Sequence, residues 1–404
     1  MKHTIKILSI VLFSLLMLLA AISLTAATAP TQPQAPGPVC SVGSGGYFSA
    51  IGPALAAPSC TTITIAAGNY KGNLTIDRDV VLVGEDAATT IIDGNGGFTN
   101  QRVISITTDQ RVAISNVTIQ NGLAITPAHT GGGIWNRGYL TLTRVILTHN
   151  TASGSDVGGA ISPGEDAGRR LVMDECIVSH NTADRGGGIF FNAPVEIRNT
   201  LFYSNTAKSG SGLLVYSSTV LVNVTFSDNQ AITSTGSGAA LAVDGWSGSP
   251  TTAILTNCTF AGNAGAYTLY GNAVDAEVIL ANTLVTASSS GSCFATTTSN
   301  GHNIDRLDGC QFRGPGDQYY TDPLLGPLAD NGGFAWTHAI TSASPATDAG
   351  DDARCPATDQ RGRSRPGIGT AGSTAHCDVG AYEYHLADDL HQKVYMPLTL
   401  RDAN

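Results

Sequence analysis

Two similar stretches, with one coil between them, decide the fold: TGGGIWNRGYLTLTRVILTHNTA (Thr130–Ala152) and RGGGIFFNAPVEIRNTLFYSNTA (Arg185–Ala207). Each runs from glycines through isoleucine and an aromatic residue to a polar break, a second apolar stretch and Asn-Thr-Ala. A fixed order of this kind indicates a repeat architecture, in which each unit buries its apolar face against the next unit.

The asparagine that ends each apolar stretch recurs at intervals typical of a solenoid. The series is Asn121, Asn150, Asn181, Asn205, Asn229 and Asn263, with Asn282–Ser288 as a degenerate seventh member. Apolar side chains alternate within each stretch, which is the pattern of a strand with one buried face. A second strand follows each glycine cluster, beginning at Ile134, Ile161, Ile189 and Leu213. The sequence therefore predicts an all-β, right-handed parallel β-helix whose recurring asparagines stack along one edge.

The flanking segments divide the chain. We predict a signal peptide at 1–29, a Pro-rich linker at 30–38, an N-terminal cap at 39–60, the β-helix at 61–315, a C-terminal module at 316–386 and a tail at 387–404. Lys2 and Lys6 precede an apolar run and small residues, which is typical of a cleaved export signal. The alternative is an uncleaved membrane anchor. No later segment has the length of a membrane helix, so we expect a secreted or cell-surface protein.

The cysteines support export, because disulfides persist in oxidising compartments. We predict three local pairs: Cys40–Cys60, Cys293–Cys310 and Cys355–Cys377. Cys176 and Cys258 occupy the same inward place three coils apart. Coils spaced by about 4.8 Å put roughly 14 Å between them, too far for a disulfide. They are predicted to be buried free thiols.

The net charge is −10 with neutral histidines, which disfavours nucleic acid as a partner. Polar residues five places before the inward Ile or Leu of successive coils form a predicted column: His129, Asp156, Asp184 and Lys208. This column is either a groove for a saccharide or, as we favour, a solvated charge ladder.

Long excursions after two of these strands suggest a binding flank. The candidate ligand-binding residues are Trp135, Glu165, Asp166, Arg169, Arg170, Phe190, Asp244 and Trp246. Outward aromatic rings beside carboxylates and arginines suit sugar rings, through stacking and hydrogen bonds to hydroxyls. The alternative is ordinary loop variation on a solenoid surface.

No cofactor is predicted, and a metal is suggested only by Asp348, Asp351 and Asp352, which are acidic enough for Ca²⁺ but lack the EF-hand spacing. Turn formation explains these aspartates better. No motif of a lyase, esterase or hydrolase is matched, so the residue types favour a protein that is not an enzyme.

Three resemblances follow from particular residues. The glycine-isoleucine turns and the Phe202…Asn205 and Phe226…Asn229 spacings resemble bacterial polymorphic outer membrane protein repeats. The stretch 322–384 resembles the C-terminal region of "choice-of-anchor Q" secreted proteins, which implies a secreted or surface β-helix protein. The opening coils at 66–94 are similar to those of pectin methylesterases and other β-helix polysaccharide enzymes.

These observations predict a secreted or cell-surface protein with a structural or adhesive role, for which polysaccharide or a cell-envelope component is the candidate ligand. The alternative is a polysaccharide lyase or glycoside hydrolase of the pectin-lyase-like superfamily.

Overall fold

The computed structural model describes residues 38–95, 101–124, 130–153, 158–163, 169–232, 238–245, 251–271, 276–286, 291–368 and 374–386. All of them belong to one compact unit, Ala35–Asn404. The predicted signal peptide and tail, and all of the linker but Pro38, lie outside the described residues. No described helix is long and apolar enough to cross a membrane.

Three parallel sheets run along the chain and confirm the right-handed parallel β-helix. Each full coil contributes one strand to sheet 3, then one to sheet 1, then one to sheet 2, as in Ile134–Asn136, Tyr139–Thr143 and Ile146–Thr148. Each of these three strands pairs in register with its counterparts in the coils before and after. The alternating apolar residues of all three sheets point into one continuous core.

The strands of each sheet are these. Sheet 1 contains Val39–Val42, Thr62–Ile65, Val80–Gly84, Arg111–Ser115, Tyr139–Thr143, Arg170–Asp174, Val195–Arg198, Thr219–Val222, Thr251–Thr256, Ala276–Ala281 and Thr296–Ser299. Sheet 2 contains Gly68–Lys71, Thr90–Asp93, Thr118–Gln120, Ile146–Thr148, Ile177–Ser179, Leu201–Tyr203, Thr225–Ser227, Thr259–Ala261, Leu284–Val285, Ile304–Asp305 and Gln318–Tyr319. Sheet 3 contains Leu74–Ile76, Ile104–Ile106, Ile134–Asn136, Ile161–Pro163, Ile189–Phe191, Leu213–Val215, Leu241–Val243, Leu269–Gly271 and Cys293–Phe294.

Shorter elements complete the described structure. Two parallel pairs extend the corner after sheet 2, Leu123–Ala124 with Thr151–Ala152 and Thr206–Ala207 with Gln230–Ala231. The C-terminal module has the antiparallel pair Leu328–Ala329 and Thr337–His338, and the 3₁₀ helix Asp352–Arg354.

The predicted asparagine ladder is confirmed from Asn150 to Asn263. Each side-chain amide donates to the side-chain oxygen of the next asparagine, at 3.1, 3.0, 3.0 and 2.9 Å along Asn150, Asn181, Asn205, Asn229 and Asn263. The same amides also donate to backbone carbonyls inside the coil. The buried amide therefore has hydrogen-bond partners in the next asparagine and in the backbone. This structural role explains why asparagine recurs here without a catalytic role.

Asn121 does not belong to that ladder. Gln120 pairs with Thr148, so the place opposite Asn150 is taken by Gly122, whose N–H donates to the Asn150 side chain at 2.9 Å. Asn121 is instead aligned with His149 and has a positive φ of 56°. The sequence alignment matched asparagine to asparagine, and this placed Asn121 opposite Asn150, one residue away from its true partner His149.

A second column of asparagines, which the sequence analysis did not separate, lies at the corner between sheets 1 and 2. Asn199, Asn223, Asn257 and Asn282 all have positive φ values, from 48° to 54°. Asparagine tolerates this left-handed conformation better than most residues. Asn282 therefore belongs to this column, because Ala281 pairs with Thr256 and so places Asn282 opposite Asn257.

The predicted C-terminal module packs on this corner and on the outer face of sheet 2. Asn257 donates to the carbonyls of Asp378 and Gly380 at 2.9 and 3.2 Å, and Thr225 donates to the side chain of Gln360 at 2.6 Å. Inside the module, fully buried ion pairs join Arg365 to Glu383 at 2.6 Å and Arg361 to Asp359 at 2.7 Å.

Both ends of the core are closed. At the N-terminal end the helix Ile51–Ala56 buries Ile51, Ala54 and Leu55, and the guanidinium of Arg78 donates to the carbonyl of Leu55 at 3.1 Å. At the other end, Phe312 is buried in the core cluster. The three predicted disulfides, Cys40–Cys60, Cys293–Cys310 and Cys355–Cys377, are confirmed, and Cys176 and Cys258 are buried free thiols as predicted.

Candidate functional site

The outer face of sheet 3 carries most of the sequence-predicted binding residues that the structure describes. Strand register aligns one outward residue from each coil in a single column. From Trp135 onwards this column contains Trp135, Ser162, Phe190, Leu214, Ala242, Tyr270 and Phe294. Trp135 and Phe190 therefore lie on one face, two coils apart, as the alternation predicts.

Trp135 is not an open stacking surface. Two guanidinium groups lie over its indole ring, that of Arg102 at 4.5 Å and that of Arg137 at 5.3 Å from the ring centroid. Arg102 is held there because its Nε also donates to the carbonyl of Thr130 at 2.8 Å. The indole is half-buried, and the two guanidinium groups occupy ring surface on which a sugar would otherwise stack.

Phe190 is also covered, although it points away from the core. It is 6 % exposed and packs with Leu214 and Ala242 in a small apolar cluster outside the main core. Tyr216 meets the Phe190 ring edge-on with 5.6 Å between centroids. Phe190 thus supports the floor of the face, and the prediction that its ring is exposed is wrong.

Asp244 forms a polar cluster with two residues that the sequence analysis did not assign to the flank. Tyr216 donates its hydroxyl hydrogen to the Asp244 carboxylate at 2.8 Å and accepts a hydrogen bond from Arg185. The Arg185 guanidinium lies 3.9 Å from the same carboxylate. The phenol therefore links a cation and an anion, and each of the three side chains fixes the orientation of the others.

The electrostatics of this cluster keep the phenol protonated. Burial is the main cause, and the hydrogen bond to Asp244 adds to it; together they raise the pKa of Tyr216 to about 12, against the opposing effect of Arg185. A general base accepts a proton, so a useful fraction of it must already be deprotonated at the working pH. Tyr216 is therefore suited to donate and accept hydrogen bonds and not to abstract protons.

An aromatic platform continues the same face towards the C-terminal end of the solenoid. Tyr270 stacks on Phe294 with 5.4 Å between centroids and 15° between planes, and Tyr267 contacts the same ring at 5.0 Å. Phe294 is 46 % exposed, and a cavity of about 480 Å³ lies beside it, lined in part by Ala295, Thr296 and Gln311. Extending the repeat alignment from Leu213 by three coils would have found Tyr270 and Phe294, since each follows the first residue of its strand.

The predicted arginines lie at the corner between sheets 3 and 1. Arg169 pairs with Asp109 at 2.6 Å, and Arg170 pairs with Glu196 at 2.8 Å. Arg170 begins a strand of sheet 1, so its partner lies on that sheet. The other predicted members of the flank, Glu165, Asp166 and Trp246, lie outside the described residues.

Half of the predicted polar column is described. Lys208 and Asp184 stand on neighbouring coils, and their side chains form an ion pair at 2.6 Å. His129 and Asp156 lie outside the described residues. Opposite charges on adjacent coils are what a charge ladder requires, and a pair exposed to this extent adds little to stability.

Among the described residues, no group of three or more His, Cys, Asp or Glu side chains is arranged to hold a metal ion. The three aspartates suggested for Ca²⁺ have other contacts. Asp351 caps the 3₁₀ helix and pairs with Arg354, Asp352 contacts His376 at 2.8 Å, and Asp348 accepts the His376 N–H at 3.3 Å. Turn formation and local pairing thus account for this segment.

Comparison with known proteins assigns the family. Residues 79–306 match the family model described as right handed beta helix region, and since this is more than half of the chain, the protein belongs to that family. No curated protein matches the chain.

Solved structures with a similar fold include pectin methylesterases. The enzyme from carrot is 11 % identical with a TM-score of 0.41, and the match covers 73 % of this chain and 91 % of that one. PemA from Erwinia chrysanthemi is 14 % identical with a TM-score of 0.41, covering 64 % and 93 %. The rice weevil enzyme is 14 % identical with a TM-score of 0.36, covering 70 % and 93 %. At these values the likeness carries no information about activity.

Proposed function

We propose that this protein is an extracellular or cell-surface β-helix protein with a structural or adhesive role, which binds polysaccharide on the outer face of sheet 3. The observation that carries the proposal is the exposed Phe294 ring, stacked on Tyr270 on the same face as the cluster of Arg185, Tyr216 and Asp244. Aromatic rings next to fixed hydrogen-bonding groups are what a sugar ring needs, because it has an apolar face and polar edges.

The face has two parts, an aromatic part for stacking and a polar part for hydrogen bonding. Phe294 and the half-buried rings of Tyr270 and Tyr267 offer apolar surface for stacking. Tyr216 and Asp244 lie on neighbouring coils of the same face, where hydroxyl groups of a bound chain can exchange hydrogen bonds with them. Tyr270 and Phe294 lie in strands, and Tyr216 and Asp244 directly follow strand ends, so little conformational entropy is lost when a ligand binds.

The proposed location rests on disulfides and sequence. Three disulfides in one chain are typical of proteins that fold in an oxidising compartment. The predicted N-terminal export signal and the resemblance of the predicted C-terminal module to surface proteins support the same location.

Binding without turnover is the form of the proposal that the electrostatics support. The Asp184 and Asp244 carboxylates each face a basic group, and the raised pKa of Tyr216 keeps its proton in place. A hydrolase instead needs two carboxylates facing one bond, one of them protonated.

The test is retention on immobilised polysaccharides, measured by affinity electrophoresis with a panel of plant and bacterial polymers. Phe294→Ala and Tyr270→Ala should each weaken retention on the best polymer by about tenfold, as expected for the loss of a stacked ring worth about 1.4 kcal/mol. Tyr47→Ala is the matched control, because Tyr47 is 85 % exposed at the opposite end of the solenoid. Unchanged retention by both platform variants would contradict the proposed site, and release of reducing ends or unsaturated products would favour the enzyme.

A further inference from the structure

The basic side chains around the outer face of sheet 3 already have acidic or aromatic partners. Lys208 faces Asp184 at 2.6 Å, and Arg185 lies 3.9 Å from Asp244. Arg102 and Arg137 both lie over the Trp135 ring. In the described part of the chain, Lys208 and Arg185 are therefore each matched by a carboxylate, whereas Arg102 and Arg137 are held over an indole ring that leaves their charge in place.

Binding of an acidic sugar polymer normally depends on such cations. Arginine recognises carboxylates through two parallel hydrogen bonds, and lysine does so as a point charge. To pair with Lys208 or Arg185, a uronate would have to displace Asp184 or Asp244. It would also approach a protein whose net charge is −10, so the long-range field would oppose the encounter.

The platform itself favours an uncharged ligand. Phe294 offers only apolar surface, and the pKa of Tyr216, raised to about 12, leaves that residue a neutral phenol at any physiological pH. We infer, on the basis of the proposed function, that the saccharide bound on the outer face of sheet 3 is a neutral polysaccharide and not a uronic acid polymer. Selectivity then comes from stacking and from hydrogen bonds to hydroxyls, with charge repulsion rejecting polyanions.

The first test compares neutral and acidic polymers over a range of salt. Galactan, xylan and galactomannan serve as neutral probes, and polygalacturonate and alginate as acidic probes. In low salt, at least one neutral polymer should be retained about tenfold more strongly than either acidic polymer. Retention on the neutral polymer should change less than about twofold between 0.1 and 1 M salt, although the Debye length falls from about 10 to about 3 Å.

The second test removes a carboxylate from a cation at the corner between sheets 2 and 3. Asp184→Asn removes the carboxylate that faces Lys208 and should raise retention on polygalacturonate several-fold, in a salt-dependent manner, with neutral retention unchanged. Glu175→Gln is the matched control, because it removes the carboxylate 3.6 Å from Arg144 at the corner between sheets 1 and 2. The control should leave polygalacturonate retention as it is in the unmodified protein.

The outcomes separate the two proposals. Tight, salt-sensitive retention of the unmodified protein on polygalacturonate or alginate, lost in Phe294→Ala, would overturn the neutral-ligand inference and leave the binding face in place. Retention on no polymer would overturn the proposed function and this inference with it. An equal gain in Asp184→Asn and Glu175→Gln would show that uronates respond to total charge and not to this face, which also contradicts the inference.

Discussion

Cys176 and Cys258 occupy the same inward column of the solenoid, three coils apart, and neither forms a disulfide. Thr200 and Val224 fill the places between them. Each thiol lies within 3.5 Å of a carbonyl two residues earlier, at Asp174 and Thr256. Thr200 makes the same contact through its hydroxyl, which donates to the carbonyl of Arg198 at 2.7 Å. The column thus accepts a small residue with a weak donor, and the cysteines are packing residues.

The first prediction concerns the reactivity of these thiols. Burial raises the pKa of both Cys176 and Cys258 to about 12, so about one thiol in ten thousand is ionised at pH 8. Iodoacetamide should therefore modify neither of them in the folded protein. After denaturation without a reductant, mass spectrometry should find two alkylated cysteines, with the three disulfides intact. Rapid modification of the folded protein at either position would contradict this account.

A second prediction tests the asparagine ladder. Asn205→Ala removes the oxygen that accepts from Asn181 and the amide that donates to Asn229 and to the carbonyl of Val178. Several buried polar groups lose their partners, each at about 1–3 kcal/mol, so we expect the free energy of unfolding to fall by about 3 kcal/mol or more. Equilibrium denaturation in guanidinium measures the change.

Asn69→Ala is the control for this prediction, because Asn69 is exposed and surface substitutions stay within about 0.5 kcal/mol. If Asn205→Ala proved as mild as Asn69→Ala, the ladder would not be a main source of stability.

Period-two alternation and a recurring asparagine were enough to predict the sheets, the inward columns and the free thiols. Both signals depend on local spacing, which the coil preserves. The error at Asn121 shows where local spacing fails: strand register is set by the pairing of Gln120 with Thr148, and a letter match can be one residue away from it.

The candidate site was predicted less well, because alternation gives the direction of a side chain and not what covers it. Trp135 points outward as expected, but Arg102 comes from the preceding coil and lies over its ring. Phe190 is covered by an apolar cluster that includes Leu214 and Ala242, from coils further along the chain. Which side chains meet between coils depends on the length of each coil. Where loops differ in length, the sequence gives that length only approximately.

The last prediction concerns the buried charges of the C-terminal module. Asp378 and Glu383 are both buried, and burial raises the pKa of both groups, that of Asp378 to about 8. Repulsion from Glu383 adds to the rise at Asp378, and repulsion from Asp359 adds to the rise at Glu383. Arg365, itself fully buried, opposes this rise through its contact with Glu383 at 2.6 Å. A raised pKa in the folded state means that, between about pH 4 and pH 8, the folded protein binds more protons than the unfolded chain. The free energy of unfolding contributed by this pair should therefore fall as the pH rises through that window.

Asp378→Asn isolates this contribution, because an amide mimics the protonated acid and does not titrate. Denaturation midpoints at pH 5 and pH 8.5 should show that the substitution costs less stability at pH 8.5 than at pH 5, where the native carboxyl is protonated and unpenalised. Some cost remains at both values, since one amide oxygen cannot replace two carboxylate oxygens that accept from the N–H groups of Asp348 and Tyr384. A cost that grows with pH would mean that Asp378 is ionised throughout and that Arg365 outweighs its burial.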